Sequence, residues 1–91
     1  MELKWTNKAL SDLTWLYEFL KSANKGAAIR TVQSLTLAPT ALLANPRIGE
    51  RLDEFESREV RRIFAGNYEI RYEMQAGTMY VLRLWHTREN R

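Results

Sequence analysis

The chain has no cysteine and a single histidine among its 91 residues, and these two shortages remove whole classes of chemistry. Without thiols there are no disulfides, no thiolate nucleophile and no Cys-ligated metal. One imidazole cannot build a His-based cluster, so neither a metal nor a cofactor is expected. Proline occurs only at Pro39 and Pro46 and glycine at four positions, which excludes a low-complexity segment or an interdomain linker. No apolar run approaches the ~20 residues that a bilayer requires, and no basic stretch leads into an apolar one at the start. Neither export nor membrane insertion is expected, and the cytoplasm is the expected location. A chain of 91 residues suits one compact domain, 1–91, with one modest core.

What the chain does have is positive charge in one chemical form. The formal net charge is only +3, but ten of the fourteen cations are Arg, all but one of those from Arg47 onward. Arg favours planar, bidentate contacts to phosphate or carboxylate.

The apolar positions divide the chain into elements. Glu2 to Trp5 alternates like a short strand, and Thr6 or Asn7 can cap the helix that follows. From Ala9, the positions Leu10, Leu13, Leu16, Tyr17 and Leu20 recur at three and four and share one helical face, with the helix ending near Ser22. Trp15 and Phe19 fall off that face. They either widen a buried stripe or form an exposed aromatic patch for a partner. Asn24 can cap a second helix with the seam Ala28, Val32 and Leu35, and so short a connection makes the two helices an antiparallel hairpin. Pro39 should kink the second helix or start a separate short turn from Pro39 to Leu43. Asn45-Pro46-Arg47-Ile48-Gly49 reads as a loop, and Glu50 to Glu56 is ambiguous, at most a short edge strand.

From Ser57 onward three strands form a meander. Tyr68, Ile70, Tyr72 and Met74 alternate with Glu69, Arg71 and Glu73, and Ala65-Gly66-Asn67 and Ala76-Gly77 supply the turns. In the last strand Tyr80, Leu82 and Leu84 should take one face, and Val81, Arg83 and Trp85 the other. Around Val60 the parities of Val60, Arg62 and Phe64 conflict with Ile63, which a bulge near the turn would reconcile. Arg placed on strands rather than only in loops suggests a surface for a polyanion or an acidic partner. The plainer account is solubility and rim ion pairs, since Glu59, Glu69 and Glu73 lie close enough to neutralise some of the cations.

Several ordered pieces are similar to the RelE/ParE superfamily of bacterial type II toxins. They are Trp5 through Leu13 (Trp-x-x-x-Ala-x-x-Asp-Leu), Pro46-Arg47-Ile48-Gly49, Arg58-Glu59-Val60, Tyr68-Glu69-Ile70-Arg71-Tyr72 and Val81-Leu82-Arg83-Leu84-Trp85-His86-Thr87-Arg88. The resemblance implies a toxin that takes part in plasmid stabilisation and growth inhibition and is held inactive by a cognate antitoxin, with a toxin–antitoxin hetero-oligomer as a possible form. RelE-like members cleave mRNA on the ribosome, whereas ParE-like members poison DNA gyrase.

The two mechanisms need different chemistry. Cleaving RNA through its own 2′-hydroxyl takes a base, cations for the crowded phosphate, and an acid for the leaving oxygen. If the chain is RelE-like, the resemblance points to Arg62, His86 and Arg88 as that site. However, Glu69 stands where nucleases of the superfamily commonly carry a cation, and the Tyr-bearing terminal segment of many of them is not found in the five residues after His86. His86 itself is either a proton-transfer group or, more plainly, a structural histidine bonded to a backbone carbonyl.

The sequence thus reads as an α+β domain: an N-terminal strand and an antiparallel helical hairpin packed on a small antiparallel sheet that ends in a three-strand meander. The expected function is that of a ParE-like gyrase-binding toxin without catalysis. The alternatives are an mRNA endoribonuclease acting on the ribosome, or an inactive module that only binds antitoxin. The candidate target contacts are Trp85, His86, Arg88 and Arg91. The candidate antitoxin contacts are Trp15, Phe19, Arg71 and Arg83.

Overall fold

The computed structural model describes residues 1–89, so the expectation for Arg91 lies outside the described residues. Strand β1 (Glu2–Trp5) leads into helix α1 (Asn7–Lys21), and helix α2 (Lys25–Leu42) returns antiparallel to it. Then come β2 (Glu50–Arg51), a 3-10 turn (Asp53–Phe55), and the meander β3 (Glu59–Ala65), β4 (Tyr68–Gln75) and β5 (Thr78–His86). The sheet order is β1-β5-β4-β3-β2. The α+β architecture stands, but the sheet is mixed rather than purely antiparallel, because β1 lies parallel to β5 with Leu3 opposite Met79. The helical hairpin between them carries the chain back to the same end of the sheet, as a parallel pairing requires.

Local signals account for the helix ends. Thr6, not Asn7, is the cap of α1, and its hydroxyl accepts the Ala9 N–H at 3.1 Å. The same hydroxyl sits 2.9 Å from the Val81 carbonyl, so the cap also ties the helix start to β5. Asn24 caps α2 through the Ala27 N–H. Pro39 does not divide α2, which runs unbroken to Leu42. Proline forfeits the bond to the Leu35 carbonyl, but here it falls in the last turn and its ring is fully buried, so packing offsets the loss.

The buried side of α1 is Ala9, Asp12 and Leu16, flanked by Leu13 and Leu20. Leu10, expected on that face, is 47% exposed, because Ala9 and Asp12 take the positions against the sheet. These helical residues, with Leu35 and Leu42 of α2, pack on Ile70, Tyr72 and Met74 of β4 and on Met79, Val81 and Leu84 of β5.

The bulge lies in β5 and not in β3, which pairs with β4 without a break. Arg71 faces Arg83 and Tyr72 faces Val81, leaving Leu82 without a partner. An extra residue inverts the alternation, so Val81 and Leu84 share the core face, whereas the expected trio was Tyr80, Leu82 and Leu84. The β4–β5 turn places both Ala76 and Gly77 at positive φ, the conformation that a two-residue hairpin needs. Gly49 is fixed differently. Its N–H donates to the Tyr72 hydroxyl at 3.1 Å, and that hydroxyl donates to the Pro46 carbonyl at 2.8 Å, so one buried phenol anchors the loop before β2.

Candidate functional site

Two surfaces carry the candidate residues, one on each side of the sheet. The face away from the helices bears Arg62 and Phe64 from β3, Glu69, Arg71 and Glu73 from β4, and Arg83 and Trp85 from β5, in keeping with strand alternation. Its guanidiniums are held by carboxylates of the same chain. Arg58 grips Glu73 through two bonds of 3.0 and 2.8 Å. Arg71 bonds Glu69 at 2.8 Å, and Arg62 bonds Glu50 at 3.0 Å and lies 3.7 Å from Glu69. Arg83 forms a fork on Asp12 at 2.7 and 3.0 Å. The Arg58 hydrogen bond holds the Glu73 carboxyl below its ordinary range. Glu50 and Asp12, through their hydrogen bonds, push the Arg62 and Arg83 guanidiniums further up. Four cations thus meet four anions, and the layer has no formal charge with which to draw in a polyanion.

Aromatic rings thread through this layer. The Arg71 guanidinium lies 4.8 Å and that of Arg83 5.9 Å from the Trp85 ring centre. Phe55 of the 3-10 turn sits between Arg58 and Arg71, at 5.9 and 5.8 Å. Trp85 is therefore only 9% exposed, roofed by guanidiniums that stack on it.

The second surface lies on the helix side, beyond the end of β5. A groove of about 480 Å³ is lined by Trp15, Leu16, Phe19 and Leu20 of α1, Tyr68 of β4, and His86, Arg88 and Glu89. Trp15 and Phe19 stack in parallel, ring centres 5.3 Å apart, with 53% and 61% of their surfaces exposed. Of the two readings open in the sequence, the exposed patch is the one found. His86 meets Tyr68 edge-on at 5.2 Å. Its Nδ1 accepts the Arg88 backbone N–H at 3.1 Å, not a bond donated to a carbonyl, so a neutral His86 carries its proton on Nε2. The His86 N–H reaches Glu89 Oε1 at 3.2 Å, and the Glu89 N–H closes the turn on the His86 carbonyl at 2.9 Å.

The structure regroups the candidates. Trp15 and Phe19 meet His86 and Arg88 in the groove, whereas Arg71 and Arg83 meet Trp85 on the far face. Neighbours on a strand point to opposite faces, and so Trp85 and His86 part company. The same rule places Arg62 across the sheet from His86. Asp12 and Phe55 were missed by the pattern. Asp12 stood in the Trp5–Leu13 motif but off the expected apolar face of α1, while Phe55 lay in a segment without periodicity. Among the described residues, no group of three or more His, Cys, Asp and Glu is placed to hold a metal ion, and no helix is long and apolar enough to cross a membrane.

Comparison with known proteins agrees with this architecture. A search of curated proteins returns no match. Among solved structures, the chromosomal ParDE TA system from P. aeruginosa superposes with a TM-score of 0.77 at 20% identity, over 94% of this chain and 95% of that one, which shows a shared fold. The family described as the ParE toxin of the type II toxin–antitoxin system parDE matches residues 3–91. With nearly the whole length matched, the chain belongs to the ParE toxin family.

Proposed function

We propose that this ParE-family toxin binds DNA gyrase in the cytoplasm and blocks it without chemistry of its own, until a cognate antitoxin neutralises it in a hetero-oligomer. The observation that carries the reading is the separation of the nuclease candidates. Arg62 is on the far face, bonded to Glu50 and close to Glu69, while His86 and Arg88 lie on the helix side. RNA cleavage needs base, acid and phosphate clamp around one reacting phosphate, and a sheet stands between these groups. Glu69, buried and bonded to Arg71, occupies a guanidinium that would otherwise be available to a phosphate.

Contact residues follow from exposure. Trp15 and Phe19 offer the antitoxin an aromatic anchor, and His86 and Arg88 of the C-terminal turn offer one to the target. Trp85, Arg71 and Arg83 support these surfaces from the far face, where their own pairings hold them.

Induction without antitoxin should produce filamentous cells and DNA-damage signalling, and purified protein should inhibit gyrase supercoiling. Translating ribosomes treated with it should show no new A-site cuts by primer extension. Cuts that vanish in His86→Ala would replace this reading with the mRNA endoribonuclease. Normal supercoiling at saturating protein, with undisturbed replication, would leave an inactive antitoxin-binding module.

A further inference from the structure

We infer that His86 is a proton-operated latch of the C-terminal turn: neutral, it holds the Arg88 backbone N–H and keeps the turn closed; protonated, it releases that N–H and lets the turn open. The latch lies within this chain, so it operates whichever partner meets the turn and whatever the target is.

The geometry gives the ring a role that protonation removes. Nδ1 accepts the Arg88 N–H at 3.1 Å, which takes a free lone pair. An imidazolium carries a proton on both nitrogens and has no acceptor left, and turning the ring over would put a C–H where Nδ1 had been. The side that yields is the turn. His86 is held by its strand pairing with Tyr68 and by the edge-on contact of the two rings at 5.2 Å, and the Thr87 N–H is fixed on the Asn67 carbonyl at 2.8 Å. Arg88 is exposed, so water takes its N–H once the ring releases it. The turn then rests on Glu89, whose N–H reaches the His86 carbonyl at 2.9 Å and whose Oε1 accepts the His86 N–H at 3.2 Å.

The charged groups around the ring are few. The turn supplies the Arg88 guanidinium and the Glu89 carboxylate, whereas the wall formed by α1 (Trp15, Leu16, Phe19 and Leu20) has no ionisable group. From β4 comes Tyr68, whose phenol is pushed up by burial and then by Glu89, so it stays neutral at neutral and acid pH. Imidazole is the side chain whose ordinary titration falls between about pH 5 and 8. Because the closed turn needs the neutral ring, closure is favoured above that titration and weakened below it. Opening moves Arg88 and adds the charge of the ring beside it, so this end of the molecule responds to pH near neutrality.

Amide exchange with solvent, followed by NMR on the full chain without any partner, tests the latch. As pH falls from about 8 to about 5 and the His86 ring protonates, the protection factor of the Arg88 amide should fall by about three- to tenfold, the contribution of one hydrogen bond. The Thr87 amide, bonded to Asn67, should keep its protection. His86→Asn puts a carbonyl oxygen near the place of Nδ1, an acceptor that does not titrate, so Arg88 should stay protected across the range. An Arg88 amide indifferent to the charge on the ring would overturn the latch. So would loss of Thr87 protection in step with Arg88, which is fraying of the strand end, or an Arg88 amide in His86→Asn that loses protection as steeply as in the parent.

Discussion

Asp12 and Arg83, 71 residues apart in sequence, form a forked ion pair at 2.7 and 3.0 Å, and the same carboxylate accepts the Leu84 backbone N–H at 3.0 Å. β1 ends at Trp5, opposite Val81, so β5 runs on with an uncovered edge. The Asp12 carboxylate takes over there as the acceptor that a longer β1 would have supplied. Asp12→Ala should strand a buried N–H and a part-buried guanidinium at a cost of about 2–4 kcal/mol. Asp12→Asn, which keeps an oxygen for Leu84, should cost clearly less. Urea unfolding compares the two, and equal losses would show that the backbone bond contributes nothing.

Gly49 should not tolerate a side chain. A Cβ there would collide with the Tyr72 hydroxyl and come within 2.7 Å of the Arg62 carbonyl, and neither a buried phenol nor strand backbone can yield freely. Gly49→Ala should destabilise by roughly 1–3 kcal/mol, several degrees in melting temperature for a domain of this size. Tyr72→Phe should cost about as much, by leaving the Gly49 N–H and Pro46 carbonyl unpaired. Thermal melts followed by circular dichroism decide both.

Trp15→Ser and Phe19→Ser should each weaken antitoxin binding by about tenfold or more, near 1.4 kcal/mol. Both side chains are more than half exposed, so unfolding stability should change by less than about 0.5 kcal/mol. Calorimetric titration reads the first effect and a melt the second. Unchanged affinity in both variants would take α1 out of the interface.

Acid should act through carboxylates on both faces of the sheet. Arg58 depresses the Glu73 carboxyl below its ordinary value of 4.5, and Arg47 does the same to Glu59. A depressed carboxylate contributes stability that is fully present above the unfolded value and lost as pH falls through the folded one. The urea midpoint should therefore stay level above about pH 5 as far as these groups are concerned and drop below it. Glu73→Gln should make the acid limb shallower; an acid limb as steep as that of the parent would contradict the linkage.

Glu69 neutralises Arg71 and lies 3.7 Å from Arg62, so Glu69→Gln should release one positive charge for polyanions. Short single-stranded RNA should bind more tightly at low salt, with the slope of log K against log salt steeper by about 1. Fluorescence anisotropy across a salt series measures it, and an unchanged slope would mean that Arg62 and Arg71 find other carboxylates.

Much of this was legible because it is local. The Thr6 and Asn24 caps, the Ala76-Gly77 turn, the alternation of β4 and the antiparallel helices depend on side chains acting within a few residues of themselves. The errors share a cause in distant contacts. Pro39 stays inside α2 because its ring is buried by the fold. Leu10 faces water because Ala9 and Asp12 meet β5. The bulge at Leu82 cannot be read from β5 alone, since an unpaired residue is defined only against its partner strand.

The candidate site divides in the same way. By itself the sequence determined the superfamily pattern, the absence of thiols and the wealth of arginine, since these depend on which residues are present and in what order. Tertiary structure alone decided what the arginines do. Asp12 reaches Arg83 across 71 residues, Glu69 and Glu73 engage the guanidiniums of Arg71 and Arg58, and the pleat sends Trp85 to one face and His86 to the other. Charge counted along a chain adds up regardless of position, whereas the field at a surface depends on which opposite charges the fold brings within hydrogen-bonding distance.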